Sequence, residues 1–358
     1  MSEKIYSDWF NYSEQIYKII NNTLEDVIII IQPQEFLFFN QQELIFINNE
    51  LTNKNKKLVI YIGSEFYSVD YSLYNNIEII YWDSIDFFAK SQIFNIDSSE
   101  QDIIFYFNKK EIVPVSLFTS MCSLKNCRNW RFYIINELFK NDLCEKNNFI
   151  FRIEDGTILD NFKLNDKEFD IDSIDFSKIL LFSSNKPWDW MLNILPNSYM
   201  ISSFDIVCET SYEYFFVTEK TLRPLDSKKP FIVFSCYNFH NKLKKYGFKL
   251  YDEIIDYSFD NIIDTKERFD MQIYELKKLL KYTPEEIYNI TKEKVDFNFK
   301  VLSELRLKKN VDIPEYIYDI IDEKFFPKLY SSKNIENDVN TNIVDISIDT
   351  FDVKRKLI

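Results

Sequence analysis

Short apolar runs recur through the first third of the chain at strand length, with helix-length segments between them. Residues 26–32, 57–62, 77–82 and 102–107 are each rich in Ile, Val, Leu or aromatic side chains and bounded by polar loops. Ahead of them, Trp9, Phe10, Ile16, Ile19 and Ile20 fall at helical intervals, which predicts an amphipathic helix over 8–22. Apolar runs alternating with helical spacers predict a parallel α/β sheet, ending near Val113.

A second series begins at Pro114. Strands are expected at 115–121, 149–153, 179–182, 204–208, 230–235 and 249–251, with a helix over 127–141 and another over 238–246 that Gly247 stops. Two long helical patterns follow, 266–281 and 284–307, the second opened by Thr283 as cap and Pro284 at the first helical position. The segment 331–358 is polar, rich in Asn and Asp, and carries one weak strand pattern at 342–348, so it reads as an appendage or an added edge strand. The expected division is therefore 1–113, 114–265, a helical segment 266–330 and the tail 331–358. A chain of 358 residues with 46% hydrophobic content has material for two packed cores.

Composition narrows the chemistry. The chain has three glycines, Gly63, Gly156 and Gly247, which leaves no Gly-rich phosphate loop; phosphates would have to be held by helix ends and cations. A formal net charge of -14 opposes a broad footprint on nucleic acid, where many phosphates must be neutralised. Cys122, Cys127, Cys144, Cys208 and Cys236 show no zinc spacing and read as free thiols in a reducing compartment. One histidine, His240, excludes a multi-histidine metal site, and Asp170-Ile-Asp172 falls in an expected loop far from any candidate phosphate site. The apolar run 27–31 is too short to span a bilayer and the N-terminus lacks a signal pattern, so a soluble, cytosolic protein without metal or cofactor is expected.

The richest stretch is 208–235. It reads as strand end, loop, a short helix opening at Thr218, and a buried strand, with Glu219 and Lys220 in the first helical turn. Free N–H groups and the positive dipole end of a helix can hold a phosphate, and a cation there is unfavourable unless an anion joins it. Glu219 could accept from ribose hydroxyls or serve only as a dipole partner. Glu209 stands at the strand end, where it could hydrogen-bond a sugar, while Glu213 and Arg223 read as local structure. Arg128 and Arg131, three apart at the start of another helix, share a face and suffer the same dipole penalty, which favours phosphate binding by at least one of them over a solvated helix start. His240 has no evident partner and is not cast as a base.

Glu209, Phe216, Val217, Thr218, Glu219, Lys220, Pro230 and Phe231 together resemble the nucleotide-sugar site of α1,3-fucosyltransferases and of related glycosyltransferases carried by viruses and phages. The resemblance implies that Glu219 contacts the ribose and Lys220 the diphosphate. Phe216 stands where that family often has Tyr, so a contact by that hydroxyl is missing. Residues 118–131, continued to Leu138, are similar to the family's strand-loop-helix unit in which an Arg reaches the diphosphate, with Arg128 slightly preferred to Arg131. The segment 256–260 with Arg268 also resembles viral members and is read as capping and closing its domain.

What the resemblance implies is the GT-B arrangement: two Rossmann-like α/β domains facing across a cleft, 1–113 on the acceptor side and 114–265 binding the donor. The implied activity is metal-independent, inverting transfer of a sugar from a nucleotide diphosphate, such as GDP-fucose or another GDP-sugar, to a hydroxyl of a glycan or other acceptor. Inversion needs a carboxylate base from the first domain. Glu65 follows the strand 57–62 most directly and is the first candidate, ahead of Asp70, Asp83 and Asp86. Asn185, Lys186, Trp188 and Trp190 form an aromatic-polar loop where a base or sugar could stack, or an ordinary surface loop. Two other readings stand beside this one: a transferase acting on modified DNA bases, and a catalytically inactive domain of the same fold used for binding or assembly.

Overall fold

The computed structural model describes residues 3–7, 13–32, 41–62, 71–81, 84–85, 89, 95–96, 114–124, 129–144, 149–153, 163–164, 167–168, 179–182, 194–195, 197–307 and 314. The chain divides after Ser91 into two compact units, the residues of its longest helix from Leu305 onward being grouped with the first.

The first unit holds a sheet of four parallel strands in sequence order: β1 (Glu3–Ser7), β2 (Val27–Gln32), β3 (Lys57–Ile62) and β4 (Ile77–Tyr81). Parallel neighbours need crossovers, and α1 (Ser13–Asn22) and α2 (Gln41–Asn53) supply the first two. Leu44, Ile47 and Leu51 form the buried stripe of α2 and meet Ile16, Ile20, Ile28, Ile30, Leu58 and Ile60 in one core. Ile29 and Ile31 are buried too, which explains why β2 reads as an unbroken apolar run. Of the predicted helix 8–22, Ser13–Asn22 is helical as α1, and residues 8–12 lie outside the described residues. The expected strand 102–107 lies outside the described residues.

The second unit carries a five-stranded parallel sheet: β6 (Ser116–Leu124), β7 (Phe149–Ile153), β10 (Ile179–Phe182), β12 (Ser202–Cys208) and β13 (Phe231–Phe234). The short pieces β5 (Asn95–Ile96) and β11 (Ile194–Leu195) pair in parallel, and β8 (Lys163–Leu164) and β9 (Lys167–Glu168) pair antiparallel. Strand order in the main sheet is β10-β7-β6-β12-β13. The order runs one way from β6 through β7 to β10 and the other way from β12 to β13, so the topological switch point lies between β6 and β12. Every residue of β12 is buried, as befits the strand beside that point.

The further α-helices are α3 (Asn129–Lys140), α4 (Asn197–Met200), α5 (Glu219–Asp226), α6 (Phe239–Lys245), α7 (Thr265–Leu279) and α8 (Pro284–Leu307), with 3-10 helices at Tyr71–Leu73 and Tyr257–Asn261. With few glycines available, left-handed helix ends fall to other residues. Asn55, Asp142 and Lys228 take φ of 52, 54 and 54° after α2, α3 and α5, and Gly247 takes 95° after α6. Behind each, an N–H folds back onto the last helical turn, as Lys56 to the Leu51 carbonyl and Leu143 to that of Leu138. At the start of α8, Thr283 and Glu286 cap each other reciprocally, side chain to main-chain N–H in both directions.

The expected strand 249–251 does not form. Asn298 of α8 receives the Lys249 N–H at 2.7 Å and donates to the Lys249 carbonyl at 2.9 Å, so a side chain takes the place of a neighbouring strand. The outer edge of β13 is closed in the same manner: His240 Nε2 accepts the Val233 N–H at 3.0 Å, and Gln272 donates to the Val233 carbonyl at 2.8 Å. That fixes the His240 proton on Nδ1, which faces Asp260 Oδ1 at 3.0 Å. Among the described residues no helix is long and apolar enough to cross a membrane.

Candidate functional site

The site grows from the carboxyl ends of β6 and β12, where the two halves of the second sheet part. Leaving β12, the chain places Glu209 with its N–H on the Phe234 carbonyl, which extends the ladder by one residue and turns the carboxylate into the loop that follows. Glu209 is fully buried and its carboxylate accepts four internal bonds: from the N–H of Thr210 at 2.7 Å, the N–H and hydroxyl of Thr218 at 2.8 and 2.6 Å, and the hydroxyl of Thr221 at 2.8 Å.

Thr218 is the N-cap of α5, extended at φ -125°, its hydroxyl accepting from the Lys220 N–H. Three of the four bonds to Glu209 thus come from the cap and first turn of α5. The positive end of this helix is already matched by an anion, and the protein itself supplies it.

Lys220 and Glu219 are each 7% exposed. The Lys220 ammonium lies 3.2 Å from Thr210 Oγ1, 3.3 Å from Thr218 Oγ1 and 2.5 Å from Glu219 Oε1. Burial pushes the Glu219 carboxyl up, but Lys220 beside it, helped by Arg223, holds it below its ordinary value. Phe216, in the position where the resembling family often has Tyr, is fully buried and tilts its ring against Tyr214.

Arg131, in the first turn of α3, is fully buried. Its Nε and Nη2 both donate to the main-chain carbonyl of Glu209, at 3.2 and 2.6 Å, and its guanidinium lies 5.4 Å from the centre of the Trp130 ring. Trp130 in turn packs edge-on to Tyr212 of the loop and against Phe269 of α7. Arg131 therefore joins the helix after β6 to the end of β12 across the switch point. Beneath it, Cys208 hydrogen-bonds Cys122 on the neighbouring strand. Burial raises the Cys122 thiol, yet that bond and the charges of Arg131, Lys220 and Arg223 leave it below its ordinary value.

A second buried layer sits behind α5. Tyr199 donates to Asp205 Oδ2 at 2.6 Å, while Arg223, over the Tyr199 ring, donates to the Met121 carbonyl at 3.3 Å. Lys229 donates to the Met200 carbonyl at 3.1 Å and to both the carbonyl and hydroxyl of Ser202. Burial pushes Asp205 up to about 6 against the pull of Arg223, Tyr199 and Lys229. It pushes Lys229 down to about 7, opposed by Asp205. Arg223, read from sequence as local structure, links this layer to the first turn of α5.

The structure thus brings Arg131, Glu209, Thr218, Glu219 and Lys220 into one cluster. Thr210 and Thr221 complete it; sequence reasoning passed over both, although Thr218 and Thr221 stand one turn apart on a helix that follows a strand-end acid. Arg128, Glu65, Asp70, Asp83, Asp86, Asp170, Asp172, Asn185, Lys186, Trp188, Trp190 and the segment 331–358 lie outside the described residues. Within the segment 256–260 the expected capping is present. Asp260 caps α6 through the N–H groups of His240 and Asn241, and Arg268 donates to the carbonyls of Ser235, Ile262 and Ile263.

No protein-family model matches the chain, and no curated protein sequence does. Among solved structures, the OtsA apo structure overlaps 84% of this chain and 76% of its own at 12% identity and a TM-score of 0.41. The E. coli trehalose-6-phosphate structure bound with UDP-2-fluoro glucose overlaps 86% and 76% at 10% identity and 0.41. An α1,3-fucosyltransferase with GDP-fucose overlaps 82% and 90% at 11% identity and 0.37. Overlaps this loose carry no argument about function; the α/β architecture rests on the chain's own parallel strand order.

Proposed function

We propose that the chain is a glycosyltransferase of GT-B type that takes a sugar from a nucleotide diphosphate donor. The supporting observation is that the Thr218-Glu219-Lys220 turn stands at the carboxyl ends of β6 and β12, beside the switch point where open α/β sheets hold their ligands. In this reading the acceptor oxygen attacks the anomeric carbon, the bond from that carbon to the diphosphate oxygen breaks, and its electron pair leaves with the nucleotide. Lys220 turns from Glu219 to the diphosphate and stabilises the charge that develops there. Glu219, released, accepts from ribose hydroxyls.

Arg131 has donors committed to the Glu209 carbonyl, so Arg128 is the better candidate for a second cation on the diphosphate. Cations take the part a metal would play. The acceptor is a glycan or other hydroxyl compound, and Glu65 is the residue that removes its proton. The motif favours a GDP-sugar, GDP-fucose among them, and inversion at the anomeric carbon. Free buried thiols at Cys122, Cys144, Cys208 and Cys236 fit a reducing cytosol.

The test is thermal shift across UDP-, GDP-, CMP- and dTDP-sugars, followed by nucleotide release with and without glycan acceptors. Ligands that bind the native state raise its melting temperature. A selective rise with a GDP-sugar and acceptor-dependent release of GDP is the expected result; no shift with any donor overturns the reading. One observation favours a second reading, a non-catalytic binding or assembly domain: Lys220 and Glu219 already satisfy each other inside the protein. Donor binding without transfer or hydrolysis would select it.

A further inference from the structure

The geometry points to Glu209 as a positioning residue that keeps the Thr218 hydroxyl an acceptor toward Lys220 and touches no ligand itself. This inference rests on the nucleotide-binding role proposed above for Lys220. A threonine hydroxyl has one proton and two lone pairs. At Thr218 the proton goes to Glu209 Oε2 at 2.6 Å, since a carboxylate can only accept. Both lone pairs are then left for Lys220, which uses them through its ammonium at 3.3 Å and its N–H at 3.4 Å.

Thr210 is governed by the same carboxylate. Its N–H is held by Glu209 at 2.7 Å, and its hydroxyl lies 3.2 Å from the Lys220 ammonium. The remaining oxygen, Oε1, takes the Thr218 N–H and the Thr221 hydroxyl and so ties the carboxylate to the first turn of α5. One fully buried anion therefore fixes the Thr218 hydroxyl as an acceptor toward the cation and holds the Thr210 main chain beside it, while Glu219 Oε1 at 2.5 Å is the partner that Lys220 exchanges for a phosphate. A neutral amide in its place can turn an NH₂ toward Thr218, reverse that hydroxyl and point its proton at the ammonium.

The experiment compares Glu209→Gln, Thr218→Val and Thr218→Ser with the parent, using two readouts. The first needs no ligand: labelling of the Lys220 amine by trace acetic anhydride, followed by mass spectrometry, expected to rise several-fold in Glu209→Gln and Thr218→Val but not in Thr218→Ser. The second is calorimetric affinity for GDP against guanosine. The preference for GDP is expected to fall roughly tenfold or more in Glu209→Gln and Thr218→Val, with guanosine unchanged. Thr218→Ser retains the preference, and Glu209→Gln adds nothing in a Lys220→Met background.

Unchanged Lys220 labelling in Glu209→Gln overturns the inference, as does an equal fall for GDP and guanosine or an effect that persists without Lys220. If Glu209→Gln does not fold, the two Thr218 variants decide alone, since they differ by the hydroxyl's presence. A parent protein that binds neither GDP nor guanosine sinks the nucleotide reading, while the labelling still decides the role of Glu209.

Discussion

Arg131 holds Glu209 by its main chain, with Nε at 3.2 Å and Nη2 at 2.6 Å from one carbonyl oxygen, both residues fully buried. The bond ties α3 to the end of β12 across the switch point. Removing the guanidinium leaves a buried carbonyl without its charged donor. Arg131→Ala is expected to lower stability on the order of 1.5–3 kcal/mol. Arg131→Lys should recover little, because an ammonium cannot reproduce the planar pair of donors. Urea unfolding followed by far-UV circular dichroism reads this as a lower midpoint at unchanged slope. Parent stability with lost nucleotide affinity would instead place Arg131 on the ligand.

Lys220→Ala should weaken binding of the best nucleotide on the order of 1.5–3 kcal/mol, the worth of one hydrogen bond to a charged group. It also strips Glu219 of its counter-charge at a site 7% exposed, so the variant should be less stable than the parent. Pairing it with Glu219→Gln should restore part of that stability and none of the affinity. Calorimetry and thermal unfolding separate the two effects, and unchanged nucleotide affinity in Lys220→Ala would move the site elsewhere.

Asp205 and Lys229 make opposite contributions to stability on the two sides of neutrality. Asp205 rises from 3.8 to about 6 on folding, so its contribution is full below 3.8 and is lost as pH climbs through about 6. Lys229 falls from 10.5 to about 7, so its contribution is full above 10.5 and is lost as pH drops through about 7. Together they make a shallow trough in stability near pH 6–7. Asp205→Asn combined with Lys229→Met should flatten it, as measured by urea midpoints between pH 4 and 10. A trough that persists in the double variant would have another source.

Glu65→Gln tests the proposed base. Transfer should slow by roughly 10²–10⁴ as expected for a lost general base, with donor affinity unchanged. Donor hydrolysis should outlast transfer, since water is a small acceptor that other groups can position. Equal transfer rates in variant and parent would pass the assignment to Asp70, Asp83 or Asp86.

Periodicity alone carried most of the described fold. The runs at 57–62, 149–153 and 179–182 are strands with those bounds, and the capped pattern 284–307 is α8, because buried parallel strands and capped amphipathic helices leave direct marks in residue order. The cluster was half legible. Thr218 as cap with Glu219 and Lys220 in the first turn follows from local sequence, since capping is a contact between near neighbours.

What only the tertiary structure decided are the long-range pairings. Arg131 meets the Glu209 carbonyl across 78 positions, Asn298 takes the place of a strand beside Lys249 across 49, and Gln272 closes the β13 edge across 39. None of these leaves a local pattern, because a buried side chain bonds whatever main-chain group the fold brings near it. The same holds for the anion at the head of α5. Sequence reasoning required one and looked for it in a ligand, whereas the turn after β12 folds Glu209 back onto Thr218 and Thr221 and supplies it from within.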